Sequence, residues 1–240
     1  MALNTLFPRQ RELVNYDYFD IAEGVGYVVY FGLVGDAGEN IVSTTSNIYS
    51  ENICSILVSE GLSTSFVKKF NMDFDITYNR PKNIKGLIFA NIPIGVAADD
   101  DTGTNVEFYA ICKAIHYDGS TETTLATGTS RTADVQQLRT SETSFGCMIA
   151  ACKMNVTTLK HFKKGETLRF TVEGWFKLDA GSNDEHLMIC HDPKNRNFKT
   201  GAYISTNNEL EFANEQDGGG TVIHESTQMI FHVPYVLDTA

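Results

Sequence analysis

Cys190-His191-Asp192 places a thiol, an imidazole and a carboxylate side by side. These are the groups from which a nucleophile, a general base and an orienting acid are built. Adjacency works against that use. Successive side chains of an extended segment point to opposite faces and cannot converge on one atom. The six histidines (His116, His161, His186, His191, His224, His232) show no HxH or HExxH spacing, and a metal site needs three or four convergent ligands. His224 and His232 share parity but can belong to different strands. Asp99-Asp100-Asp101-Thr102-Gly103-Thr104-Asn105-Val106-Glu107 is the better ion candidate, with Asp99 and Asp101 as the first oxygens. Counted from Asp99, the glycine falls at position five and position twelve is Ala110, so an EF-hand is excluded. An irregular calcium loop or a plain solvated acidic loop both fit. No metal or other cofactor is expected.

Asp73 and Asp75 share a face, yet Asn71 and Thr77 flank them, which reads as a solvent-facing strand. Glycosidase carboxylates must face each other across a sugar, which spacing alone cannot show. No phosphate-binding loop, dinucleotide fingerprint or nucleophile elbow is present. Gly218 to Gly220 read as hairpin glycines. The expectation from these residues is a protein that is not an enzyme.

The elements that would position such groups are strands. In residues 167–178, Leu168, Phe170, Val172, Gly174, Phe176 and Leu178 alternate with Thr167, Arg169, Thr171, Glu173 and Lys177. That is a period of two, a strand with one dry face. Trp175 breaks the pattern by standing among the polar positions. Phe66 to Tyr78 alternates likewise. Tyr27 to Val34 reads as a buried strand. Ile84 to Ile94 follows, with Pro93 expected at an edge or outside the ladder. Val106 to Tyr117 is apolar on both faces and so central; Asp118-Gly119 is a hairpin turn into Thr121 to Gly128. Phe145 to Thr157, Glu185 to Cys190, a hairpin over Ala202 to Phe212, and Thr221 to Val236 complete the set. Residues 41–62 fit a short helix or a strand equally. Many short strands with regular turns imply an all-β fold, read as an antiparallel β-sandwich of jelly-roll type. Residues 1–23 read as an extended N-terminal arm whose Phe7, Tyr16, Tyr18 and Phe19 could dock on a neighbour or on its own domain. Residues 24–240 read as a single domain.

The bulk numbers agree. A chain of 240 residues with 42% hydrophobic content can bury a core without staples. A net charge of −11 argues against a general nucleic-acid surface. No apolar run approaches the ~18 residues of a membrane span, and no N-terminal signal follows Met1. Five scattered cysteines without a CxxC pair read as free, buried thiols made in a reducing compartment.

Lys163-Lys164-Gly165-Glu166-Thr167-Leu168-Arg169-Phe170, His191-Asp192-Pro193-Lys194-Asn195-Arg196, the end segment QMIFHVPYVLD (228–238) and the arm segment PRQRELVNYDYFDIA together carry a likeness. The chain resembles virion structural proteins of tailed bacteriophages, particularly jelly-roll head decoration or cement proteins. It departs from the main capsid protein of such phages, lacking a long spine helix. The resemblance implies a virion protein, made in the host cytoplasm. Its partner would be the major capsid protein or another virion protein, and it would act as a homo-oligomer without nucleic acid or membrane. A second expectation is a carbohydrate-binding β-sandwich of a phage fibre, with Trp175 as its aromatic; the alternative for Trp175 is packing under a loop or at an interface. A jelly-roll hydrolase or lyase is a third, without nameable convergent groups.

Overall fold

The computed structural model describes residues 14–15, 25–35, 38–58, 64–97, 106–134, 145–178, 186–196, 198–199, 222–223 and 226–236. In chain order the strands are β1 (Val14–Asn15), β2 (Val25–Val34), β3 (Asn40–Ser43), β4 (Cys54–Val58) and β5 (Val67–Thr77). Then come β6 (Lys82–Ala97), β7 (Val106–Tyr117), β8 (Glu122–Thr129), β9 (Ala133–Asp134) and β10 (Phe145–Phe162). The last are β11 (Thr167–Leu178), β12 (His186–Cys190), β13 (Phe198–Lys199), β14 (Val222–Ile223) and β15 (Ile230–Val236). The described residues contain no helix.

One sheet of thirteen strands carries the order β4-β12-β6-β15-β2-β3-β5-β11-β7-β8, with β10 on β6, β1 on β2 and β9 on β7. β13 and β14 form a separate pair. β6 is the spine. Its 16 residues pair with β10 along one edge. The other edge is shared by β15, up to Asn91, and β12, from Ile94. Pro93 falls in the interval between those two neighbours. It is paired with Ile149 of β10, which corrects the expectation of a place outside the ladder. Neither β15 nor β12 pairs with it on the other side, so it stands at a local edge, the other place expected for it.

The ladders are antiparallel except one. β3 meets β5 in parallel at Ile41 and Asp75, so the sheet is mixed where a purely antiparallel sandwich was expected. Parallel neighbours need a long crossover. Residues 44–66 supply it, passing through β4, which pairs with β12 at the far end of the order. The ambiguous stretch 41–62 therefore contains strand at Cys54–Val58. A ladder supplied from a distant part of the chain settles what local propensity left open.

Inward side chains of β5, β7 and β11 pack on those of β2, β6, β10 and β15. Phe170 on β11 stacks on Phe231 of β15 with centroids 4.2 Å apart, and Phe74 on β5 joins them at 6.3 Å. All three rings are fully buried. The two ends of the wrap come together where β8 lies along β10. A Cβ on Gly128 would collide with the backbone carbonyl oxygen of Lys153, so only glycine permits this approach.

The turns follow their sequence signals. Gly165, at φ 91°, closes the Lys163–Glu166 turn, and the Glu166 carboxylate accepts from the Lys163 N–H at 2.9 Å and bonds His116 at 2.7 Å. Asp118 accepts from the Ser120 and Thr121 amides, with Gly119 at φ 98°.

Candidate binding faces and buried clusters

β11 is flanked by β5 and β7, so its odd positions form the midline of one outer face. Arg169 makes two 2.7 Å bonds to the Asp75 carboxylate and contacts Glu122. Asp73 and Asp75 thus face outward, held by an arginine. Next along the strand, Glu173 is only 4% exposed. Lys113 donates to it at 2.6 Å, Lys68 at 3.4 Å and the Trp175 indole N–H at 2.9 Å. Burial pushes this carboxyl up, but the lysine and indole donors outweigh it and leave it below the ordinary value.

Trp175 is half-buried and pairs directly with Tyr109 of β7. The two rings are parallel within 5°, centroids 6.0 Å apart, and Phe66 meets Tyr109 edge-on at 4.8 Å. Burial, then the Glu173 charge, raises the Tyr109 phenol above its usual value. A register shift against β5 falls between Gly174 and Trp175. Lys177 bonds Glu107 at 2.7 Å and sits over the Phe66 ring.

The opposite outer face differs in kind. β2, β6, β10 and β15 contain no aspartate or glutamate, in a chain with 30 such residues. Tyr27, Val29, Phe31, Ile230 and Phe89 lie half-buried on it. Leu87 and Ile149 are 40% and 50% exposed. Its charges are lysines, such as Lys85 and Lys153. Burial holds the half-buried His232 below its usual pKa. Tyr27 to Val34, read from sequence as a buried strand, therefore has one face buried and one partly open. Apolar residues stand at both parities of this strand, so the only sequence mark of its open face is the lack of any carboxylate.

Cys190, His191 and Asp192 diverge. The Cys190 thiol meets those of Cys54, its cross-strand partner, and Cys147. Cys112 and Cys152 form a second buried neighbourhood. All five cysteines are free and buried, and burial pushes the Cys112, Cys152 and Cys190 thiols up, Cys152 to about 11. His191 is fully buried between Ser50 (Oγ to Nδ1, 3.1 Å) and Ser55 (Oγ to Nε2, 3.0 Å). Burial lowers its pKa to about 4. Asp192 accepts from the Arg196 amide at 2.7 Å and from its guanidinium, which also reaches the Ser50 carbonyl. Asn195, at φ 56°, accepts from the Thr227 amide. The 191–196 segment is thus a knot tying residues 50–55 to 227–228. Among the described residues no carboxylate bonds the His191 ring and no cluster of three or more ligating side chains could hold a metal ion.

Phe7, Tyr16, Tyr18 and Phe19 lie outside the described residues, as do Asp99, Asp101 and the 202–212 hairpin. Of the arm, Val14 and Asn15 pair with Val28 and Tyr27 of the same chain. The Asp99–Asp101 segment joins the end of β6 to Val106, which pairs with Leu178.

No protein-family model matches this chain, and no curated protein matches it. Among solved structures it is similar to two of a CocE/NonD family hydrolase from Staphylococcus aureus. One has 14% identity and a TM-score of 0.38 over 70% of this chain and 37% of the other. The second has 14% identity and a TM-score of 0.42 over 86% and 36%. The chain thus spans little more than a third of the length of those proteins. Both neighbours carry the name of a hydrolase, and the expectation of a protein that is not an enzyme is withdrawn. At this level of likeness the neighbours assign no activity to the chain.

Proposed function

We propose that this chain is a structural protein of a tailed-phage virion, a jelly-roll β-sandwich that binds and stabilises the capsid lattice as a decoration or cement protein. The observation that carries the reading is the carboxylate-free outer face of β2, β15, β6 and β10. A chain of net charge −11 repels another acidic surface over most of its exterior. On this face the repulsion is absent, and exposed Leu87 and Ile149 offer area whose burial is favourable. The occupant is the outer surface of a capsid subunit. The arm aromatics Phe7, Tyr16, Tyr18 and Phe19 supply a second contact, and the chain acts as a homo-oligomer bridging neighbouring subunits. The two-layer wrap, with its long crossover, supports the jelly-roll reading. The Lys163–Glu166 turn and the 191–196 knot, two stretches that carry the phage likeness, both organise this fold.

Co-sedimentation with capsids assembled without this chain tests the reading. The purified chain is expected to pellet with them, and the Leu87→Glu/Ile149→Glu double variant to remain in the supernatant with an unchanged unfolding midpoint. A wild-type chain that ignores the particles overturns the proposal. So does a folded double variant that binds as well as the parent.

A further inference from the structure

We infer that Trp175 and Tyr109 form a carbohydrate subsite that takes one face of a pyranoside. The site lies on the outer face of β11 and β7, opposite the face assigned to the capsid, and does not depend on that assignment.

The first argument is preorganisation. Trp175 does not need to be ordered by a ligand: its indole N–H is bonded to Glu173 at 2.9 Å, and Glu173 is itself fixed by Lys113 and Lys68. Parallel stacking on Tyr109 fixes the ring plane. A site whose groups are already held loses less entropy on binding. Trp175 keeps the outward parity of its strand and stays in unbroken register with β7, while the register shift at Gly174/Trp175 offsets it from β5.

The second argument is chemical. A pyranoside has apolar C–H faces and a belt of hydroxyls that both donate and accept. Aromatic faces are electron-rich and attract polarised C–H groups. The rim offers donors and acceptors together in Lys177 and Glu107, 2.7 Å apart.

The third argument is by size and charge. The other outward residues of β11 are threonine or charged, and on β7 Glu107 and Lys113 bound the patch, so the aromatic pair with Ile111 beside it is a small island. A stable protein interface buries roughly 800 Å² per partner, more than such an island supplies. An anion such as phosphate would need uncompensated cations, but Lys68 and Lys113 are paired with Glu173, and Lys177 with Glu107.

The chain has a single tryptophan, so tryptophan emission, excited selectively over the ten tyrosines, reports on this site alone. The full chain would be titrated with cello-, chito- and galacto-oligosaccharides. The expected result is a saturable change in emission with at least one series. Tyr109→Ala, which keeps the fluorophore, weakens binding roughly fivefold to tenfold, and Tyr109→Phe restores it. Emission that stays unchanged across all three series overturns the inference. So does a Tyr109→Ala variant with parental circular dichroism that binds as tightly as the parent. Should Tyr109→Ala fail to fold, Tyr109→Phe and protection of Trp175 from acrylamide quenching by saturating oligosaccharide decide, and lack of protection overturns it.

Discussion

His191 shows how one side chain ties stability to pH. It is fully buried, and burial lowers its pKa to about 4, against ~6.5 in an unfolded chain. Between those values the unfolded state binds the proton and the folded state does not. The stability contributed by keeping this imidazole neutral is complete above about pH 6.5 and is lost as pH falls toward 4. The gap corresponds to about 3 kcal/mol. Chemical denaturation at stepped pH should show this loss, and His191→Asn should flatten the slope while lowering stability at pH 7. Equal slopes in parent and variant would assign the titration to another group. Glu173 acts in the same direction at lower pH. Its carboxyl sits below its ordinary value, so its contribution is present at neutral pH and lost on acidification.

At the scale of elements, the seam between β8 and β10 closes the wrap without a ladder. It depends on Gly128, where a methyl would meet Lys153 backbone and no flexible side chain that could yield. Gly128→Ala is therefore expected to destabilise by about 2 kcal/mol, the range of core overpacking. A lowered denaturant midpoint checks this; Gly119→Ala at the exposed turn is the useful comparison, since nothing crowds that position and only its φ of 98° is strained. An unchanged midpoint for Gly128→Ala would mean that the two strands separate freely. The pairing of β6 with three neighbours follows from its length. Sixteen residues outrun β15, and the remaining edge is taken by β12, which in turn gives β4 a place.

Over the whole molecule, the layers are held by aromatic contacts across the core. Phe170 stacks on Phe231 between β11 and β15, with neither ring exposed. Phe170→Ala should cost about 3–5 kcal/mol, read as a drop in the urea midpoint, whereas Leu159→Ala on the exposed part of β10 should cost little. Comparable losses would show that the stack is not a principal tie. The strands themselves were legible in the sequence. Alternation over Val67–Thr77 and Thr167–Leu178, and the turn residues Asp118-Gly119 and Lys163–Glu166, are local signals, and a period of two specifies a strand wherever it lies. Parity states which side chains share a face. It does not state what covers that face when both parities are apolar, so Tyr27 to Val34 read as buried on both sides. Long-range register decided the rest. It set Trp175 beside Tyr109, gathered Cys54, Cys147 and Cys190 from three strands, and brought β3 parallel to β5. Such pairings join residues far apart in the chain, and no local pattern carries them.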